Sequence, residues 1–241
     1  MTRPDGSGAA PLILAVETST PSASVALLRG GELLVQVQAS VPRRHLEWLA
    51  PAIRRLLDEA GRRPADVQAL AVSTGPGEFT SVRIGLATAL AWARAREVPL
   101  AAISTLAVVA AAAAEPGPVC VLVDVRRGAV AAALYAGADA DPQAGPVVGP
   151  VEEVLGRLPL PPEVAFTGDA LARYGDILRA ARPQARFAPP SAWVPTAAAL
   201  GRLAWGRLRR GERDDLYRVR PVYARPAVAG GEPSPGGALG V

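Results

Sequence analysis

The chain has 241 residues, half of them hydrophobic, with 22 acids, 26 arginines, no lysine and a formal charge of +4. That length and apolar content allow one or two domains with a real core. A single cysteine and a single histidine exclude an internal disulfide and leave almost no room for a metal site of nitrogen and sulfur ligands. No run of about 18 purely apolar residues is present, so no membrane span is expected. The first eleven residues lack the apolar stretch of a secretory signal, and together with lone Cys120 this points to the cytoplasm. The basic excess is interleaved with acids, as in Arg54-Arg55-Leu56-Leu57-Asp58-Glu59, and accompanies a heavy Ala, Gly and Pro load. Charge alone therefore does not assign a nucleic-acid partner.

Residues 1–11 read as a disordered lead. Leu12–Val16 is a continuous apolar run of buried-strand type, followed by the polar turn Glu17-Thr18-Ser19-Thr20-Pro21. Ser22–Leu28 and Leu33–Ala39 read as strands joined by a tight Arg29-Gly30-Gly31 turn. An apolar strand, a hydroxyl-rich turn and a hairpin resemble the opening of the actin, hexokinase and Hsp70 superfold, in which the first turn touches nucleotide phosphates. Arg43–Ala60 has a helical period, with Leu46, Leu49, Ile53, Leu56, Leu57 and Ala60 on one stripe.

Val67–Val72 reads as a strand leading into Ser73-Thr74-Gly75-Pro76-Gly77-Glu78-Phe79-Thr80-Ser81 and then a helix, Val82–Ala95. Gly-Pro-Gly permits a sharp turn, and Thr80 or Ser81 is expected to cap the helix. A turn of this kind can hold phosphate on free amides. Here the Walker spacing, a lysine and a GxGxxG pattern are all absent, and Glu78 adds a negative charge. The helix is apolar or small along both its Val82/Leu86/Ala89/Ala93 and its Ile84/Thr88/Ala91/Ala95 rows. One side is expected on its own sheet. The other is expected against a second helix or a partner chain, or else covered by its own neighbours.

Pro99–Ile103 is a further strand, and Ser104 caps a helix to Ala114. Glu115-Pro116-Gly117-Pro118 marks the boundary of a second half, which opens like the first: strand Val119–Val123, turn Asp124–Gly128, strand Ala129–Tyr135. The expected organisation is a lobe over 12–115, a second over 116–225 and a disordered tail over 226–241. Residues 136–146 read as a loop. Val151–Arg157, Ala170–Ala181 and Thr196–Arg210 read as helices, with Val164–Phe166 as a strand. The Arg207, Arg209, Arg210 and Arg213 cluster reads as the solvated end of the last helix. His45, without a companion at position 49, reads as a cap or partner-contact residue.

Glu17 and Asp124 close the two lobe-opening strands, where a kinase-like fold places a magnesium-organising carboxylate. Neither turn offers the glycine that would bring amides onto a phosphate: Thr18-Ser19-Thr20 fills the first, and Val125-Arg126-Arg127 precedes Gly128 in the second. Glu17, Thr18, Gly75, Gly77 and Asp124 thus read as degenerate nucleotide-site turns. An ATP-dependent phosphotransferase or hydrolase using Glu17 and Asp124 with magnesium is the alternative.

Leu12–Leu27, Arg43–Pro51, Gly75–Gly85, Ile103–Leu106, Asp124–Gly128 and Pro221–Arg225 together resemble the TsaB (YeaZ) family. The Gly-Pro-Gly-x-Phe-Thr…Arg-Ile-Gly segment is the most specific part. The resemblance implies an α/β, two-lobed actin/hexokinase/Hsp70-like fold with duplicated ribonuclease-H-like lobes. It implies a non-catalytic, cofactor-free subunit that dimerises with the paralogue TsaD, is joined by the ATPase TsaE, and meets tRNA through that complex. The product is threonylcarbamoyl on N6 of adenosine 37 in tRNAs reading codons that begin with A. It also implies homodimers when the chain is alone. The family pattern usually has Asp at 17, Ser at 78 and Gly at 81, where this chain has Glu17, Glu78 and Ser81. Its partner surface lies on first-lobe helices, which selects Leu46, Leu49, Ile53, Val82, Leu86, Ala89 and Ala93 as interface residues.

Overall fold

A computed structural model describes residues 10–137 and 141–224. The expected tail, and the expected lead apart from residues 10 and 11, lie outside the described residues. Two five-stranded sheets carry the architecture. The first contains β1 (Leu12–Glu17), β2 (Ser22–Arg29), β3 (Glu32–Ser40), β4 (Ala69–Ser73) and β5 (Leu100–Ile103), in the order β3-β2-β1-β4-β5. The second contains β6 (Val119–Asp124), β7 (Val130–Tyr135), β8 (Ala144–Gly149), β9 (Ala165–Thr167) and β10 (Arg186–Phe187), in the order β10-β9-β6-β7-β8. In each, a three-stranded antiparallel meander is extended by two parallel strands on the far side of its first strand. The repeat read from the two openings is therefore a repeat of whole sheets.

The strands' alternation explains where the helices go. Ile13 and Ala15 face the core shared between the sheets, whereas Leu12, Leu14 and Val16 face the opposite side. β6 repeats this: Val119, Val121 and Val123 point to the shared core, Cys120 and Leu122 away from it. Two helices, α3 (Thr105–Ala113) and α6 (Ala197–Leu208), fill the shared core. The outer side of the first sheet is covered by α1 (His45–Glu59) and α2 (Phe79–Arg96), that of the second by α4 (Val151–Arg157) and α5 (Leu171–Ala181). The approach of α6 to β2 is close: a Cβ on Gly201 would lie 2.2 Å from Leu28 Cδ1.

Several expectations change. Residues 144–149, read within a loop and the stretch after it, form β8, and the two-residue β10 was not anticipated. Gly145 and Pro146 hide β8 in the sequence; an edge strand tolerates both. Neither Thr80 nor Ser81 caps α2. Its N-cap is Glu78, without a side-chain cap bond, and Ser81 Oγ lies over Glu78 O at 3.4 Å. The end of the segment expected as the second lobe returns to the first: Asp214 N donates to Leu100 O (3.0 Å), and Val222 N to Thr74 O (2.7 Å). Arg207 is not a solvated helix end. It donates to Ala102 O (2.9 Å) and to both carboxyl oxygens of Asp214 (3.0 and 3.3 Å), tying this strap to β5.

Candidate functional site

Parallel pairing of Val16 with Val72 sets Glu17 beside Ser73 at the carboxyl ends of β1 and β4. Glu17 is fully buried. Its Oε1 accepts from Ser19 N (2.7 Å) and Ser19 Oγ (2.5 Å), while Oε2 has no partner. Burial raises the Glu17 pKa above the ordinary carboxylate range, against the opposing bonds from Ser19. The Ser73 hydroxyl at the end of β4 and the Thr105 hydroxyl at the start of α3 are likewise buried and unpartnered.

The first turn is sealed by the start of α2. Thr18 Oγ1 donates to Ser81 O (2.8 Å) and Glu78 N donates to Ser19 O (2.8 Å). A Cβ on Gly77 would stand 2.2 Å from Ser19 O, and one on Gly85 2.2 Å from Thr18 Oγ1. The glycines of this segment therefore serve close packing between two chain segments, not approach to a phosphate. Gly75, at φ +99°, is covered by the strap: a Cβ there would lie 2.4 Å from Val222 O. His45 is buried and its Nε2 bonds Thr20 O at 2.8 Å. It anchors α1 to the turn, which corrects its assignment as a cap or partner contact.

The second turn is built differently. Arg126, Arg127 and Gly128 all have positive φ (71°, 55° and 80°). Asp124 Oδ1 accepts from Arg126 N (2.7 Å), and Asp124 N donates to Asp169 Oδ1 (2.8 Å). Burial, with the Asp124 charge beside it, pushes Asp169 up to about 6. Arg126 Nη2 reaches across to Glu78 Oε1 at 2.9 Å, so one ion pair joins the second turn to the N-cap of α2. Asp124 thus organises its own turn, and Glu17 stays buried in the other sheet. Sequence reasoning missed Asp169 and the Glu78–Arg126 link. The signal for Asp169 was present: like Glu17 and Asp124, it follows an apolar strand, here after Gly168. Among the described residues, no group of three or more His, Cys, Asp or Glu could hold a metal ion. Cys120 is buried, its thiol pushed up to about 12 by burial.

Of the seven expected interface residues, six are core. Leu49 and Ile53 on α1, and Val82, Leu86, Ala89 and Ala93 on α2, are at most 5% exposed. The physical reason is that the apolar stripes chosen for a partner are the stripes these helices lay on their own sheet. Only Leu46 is at the surface, 76% exposed. Next to it a groove of about 580 Å³ runs between α1 and the edge strand β3, lined by Val37, Val41, Trp48 and Pro51 among others.

Paired sheets of identical strand order, with helices α3 and α6 between them and a turn at the end of each first strand, define a two-lobed protein of the actin and hexokinase class. An activator of 2-hydroxyisocaproyl-CoA dehydratase from Clostridium difficile shares that fold (TM-score 0.50, 9% identity, 85% of this chain and 99% of that one). A Pseudomonas aeruginosa protein described as similar to peptidase YEAZ superposes with a TM-score of 0.77 at 32% identity, over 89% of this chain and 100% of its own. The family model "TsaD: tRNA N6-adenosine threonylcarbamoyltransferase" matches residues 36–224. Curated relatives named tRNA threonylcarbamoyladenosine biosynthesis protein TsaB, from Bacillus subtilis (35% identical) and Escherichia coli (37%), match over 126 residues, 51% of this chain. Those matches span about half (54%) of the relatives' length. The chain belongs to the TsaB/YeaZ family. Among the described residues, no helix is long and apolar enough to cross a membrane.

Proposed function

We propose that this chain is a non-catalytic scaffold subunit acting in tRNA threonylcarbamoyladenosine biosynthesis. In this reading it pairs with a TsaD-type transferase, is joined by TsaE, and supports transfer of threonylcarbamoyl to N6 of adenosine 37 in tRNAs reading codons that begin with A. The observation that carries the scaffold role is the sealed first turn. With Thr18 locked to Ser81, and Gly77 and Gly85 packed on it, the first turn is closed against the approach of a phosphate. Family membership supplies the pathway. The partner surface is the outward side of α1 around Leu46, with the groove toward β3, because the inward stripes are used by the sheet. The same surface serves a homodimer when the chain is alone, and the two sheets with their helices are the two lobes. The cytoplasm is the compartment in which tRNA and such a partner are met.

The alternative, a phosphotransferase or hydrolase using Glu17 and Asp124 with magnesium, requires ATP to bind the isolated chain. Calorimetry with ATP and Mg²⁺ separates the two. Silence is expected from the scaffold, and saturable heat at micromolar nucleotide would reverse the assignment. Co-elution with TsaD tests the surface: Leu46→Arg is expected to abolish it, and full retention of the complex would move the interface elsewhere.

A further inference from the structure

The outer flank of α2 carries arginine and aromatic side chains that neither turn uses. Arg83 and Arg94 are eleven residues apart, which places them on one stripe about 16 Å apart along the axis. The strap runs antiparallel beside this stripe. At one end Arg94 Nη2 donates to Leu216 O (2.6 Å), and its guanidinium lies 4.9 Å from the Tyr217 ring centroid. At the other, the Arg83 guanidinium lies 3.8 Å from the Phe79 centroid and 5.3 Å from that of Tyr223, and its Nε donates to the Tyr223 hydroxyl. Phe79 and Tyr223 stack with centroids 4.7 Å apart. Tyr217 is 72% and Phe79 54% exposed.

A single exposed aromatic would mean little. Here two arginine–aromatic pairs end one flank, and their charge is not cancelled locally. Among the described residues, Arg83, Arg94 and Arg220 have no carboxylate within salt-bridge distance. The nearby acids are engaged: Glu78 with Arg126, Asp214 with Arg207, Asp215 with Arg218. Glu97, the C-cap of α2, offsets one charge at that end. Arginine and aromatic side chains are enriched at protein–protein interfaces too, so it is the uncompensated positive charge along the flank, not its composition, that favours a polyanion. Unpaired bases offer faces for the rings and phosphates for the guanidiniums.

We propose that this flank binds single-stranded RNA, with bases stacking on the Phe79–Tyr223 pair and on Tyr217, and phosphates meeting Arg83, Arg94 and Arg220. A duplex keeps its base faces stacked inside and can use only the arginines. The flank lies toward β5, whereas the α1 groove lies toward β3 at the other edge of the sheet, so both can be occupied together. The site goes beyond the scaffold role and does not depend on it, since RNA binding by the chain alone and assembly with TsaD are read separately.

The test is fluorescence polarisation of the full chain with a labelled oligouridine of about a dozen nucleotides, titrated between about 50 and about 200 mM salt. Binding is expected to weaken with salt. Arg83→Gln with Arg94→Gln should reduce the logarithmic salt slope by about 1.4, roughly 0.7 per lost phosphate contact. Tyr217→Ala should weaken binding roughly tenfold at an unchanged slope, and Arg94→Lys should keep the slope. Thermal melts check that each variant is folded. Four results would overturn the proposal: no polarisation change at about 100 μM protein and low salt; affinity untouched by these variants; a duplex or uridine monophosphate binding as tightly; or loss of binding on Arg209→Gln with Arg213→Gln instead.

Discussion

Gly85 on α2 packs so closely on Thr18 that a Cβ there would stand 2.2 Å from Thr18 Oγ1. Thr18 is itself held by its bond to Ser81 O and is 1% exposed. The helix start and the first turn are thereby one packed unit, and this unit occupies the place where a nucleotide-binding relative of the fold would need open amides.

Gly85→Ala should cost about 1–3 kcal/mol by overpacking. Adding Thr18→Ala should recover much of that loss, because the clash is with the threonine side chain. Urea unfolding of the two single variants and the double variant measures the coupling. Strict additivity would mean the contact is not what fixes the helix to the turn.

Replacing Ala89 by Arg should unfold the protein, not produce a folded chain that fails to assemble. Ala89 is 1% exposed against the first sheet, and an unpaired guanidinium there costs several kcal/mol. Leu46→Arg, on the exposed side of α1, should shift stability by no more than about 0.5 kcal/mol. Circular dichroism melts of both variants distinguish burial from surface exposure directly.

Asp169 gives a pH signature. Folding raises its pKa from 3.8 to about 6, so the native state holds the proton more tightly than the unfolded chain does. Its contribution is therefore full below about pH 3.8 and is lost as pH rises toward about 6. Asp169→Asn keeps an acceptor for Asp124 N but cannot ionise. The difference between variant and wild-type stability should grow by about 2–3 kcal/mol across that window and level off above it. Glu17 has the same sign, beginning at its ordinary 4.5. Asp66 and Glu212, held low by hydrogen bonds from Arg63 and Arg210, act in the opposite sense, and the difference curve cancels them. A flat difference would show that Asp169 is not buried as a poor anion.

Arg207→Ala should release the strap from β5 at a cost of about 1–3 kcal/mol, since it strands Asp214 beside Ala102 N. Hydrogen exchange at Asp214 and Val222 amides should accelerate markedly. The Glu78–Arg126 link is more exposed, and Arg126→Ala should cost no more than about 1 kcal/mol.

The sheet framework was legible because buried strands such as Leu12–Val16 and Val119–Val123 are continuous apolar runs, and because their polar turns repeat. β8 was not, since Gly145 and Pro146 look like loop chemistry on any strand. Six of the seven partner residues expected on α1 and α2 are buried in the chain itself, for a related reason. A helical stripe records that a face is apolar, not whether sheet or partner covers it, and the sheet had the stronger claim on Leu49, Ile53 and Ala89. The Glu78–Arg126 and Arg207–Asp214 pairs join elements whose proximity only the fold creates.

The most direct test is reconstitution of threonylcarbamoyl transfer: TsaD, TsaE, tRNA and threonylcarbamoyl-adenylate, with this chain, with its Leu46→Arg variant, and with neither. A scaffold predicts modified tRNA only with the wild-type chain, and a folded but inactive Leu46→Arg variant. Equal modification in the absence of the chain would contradict the assignment and return attention to Glu17 and Asp124.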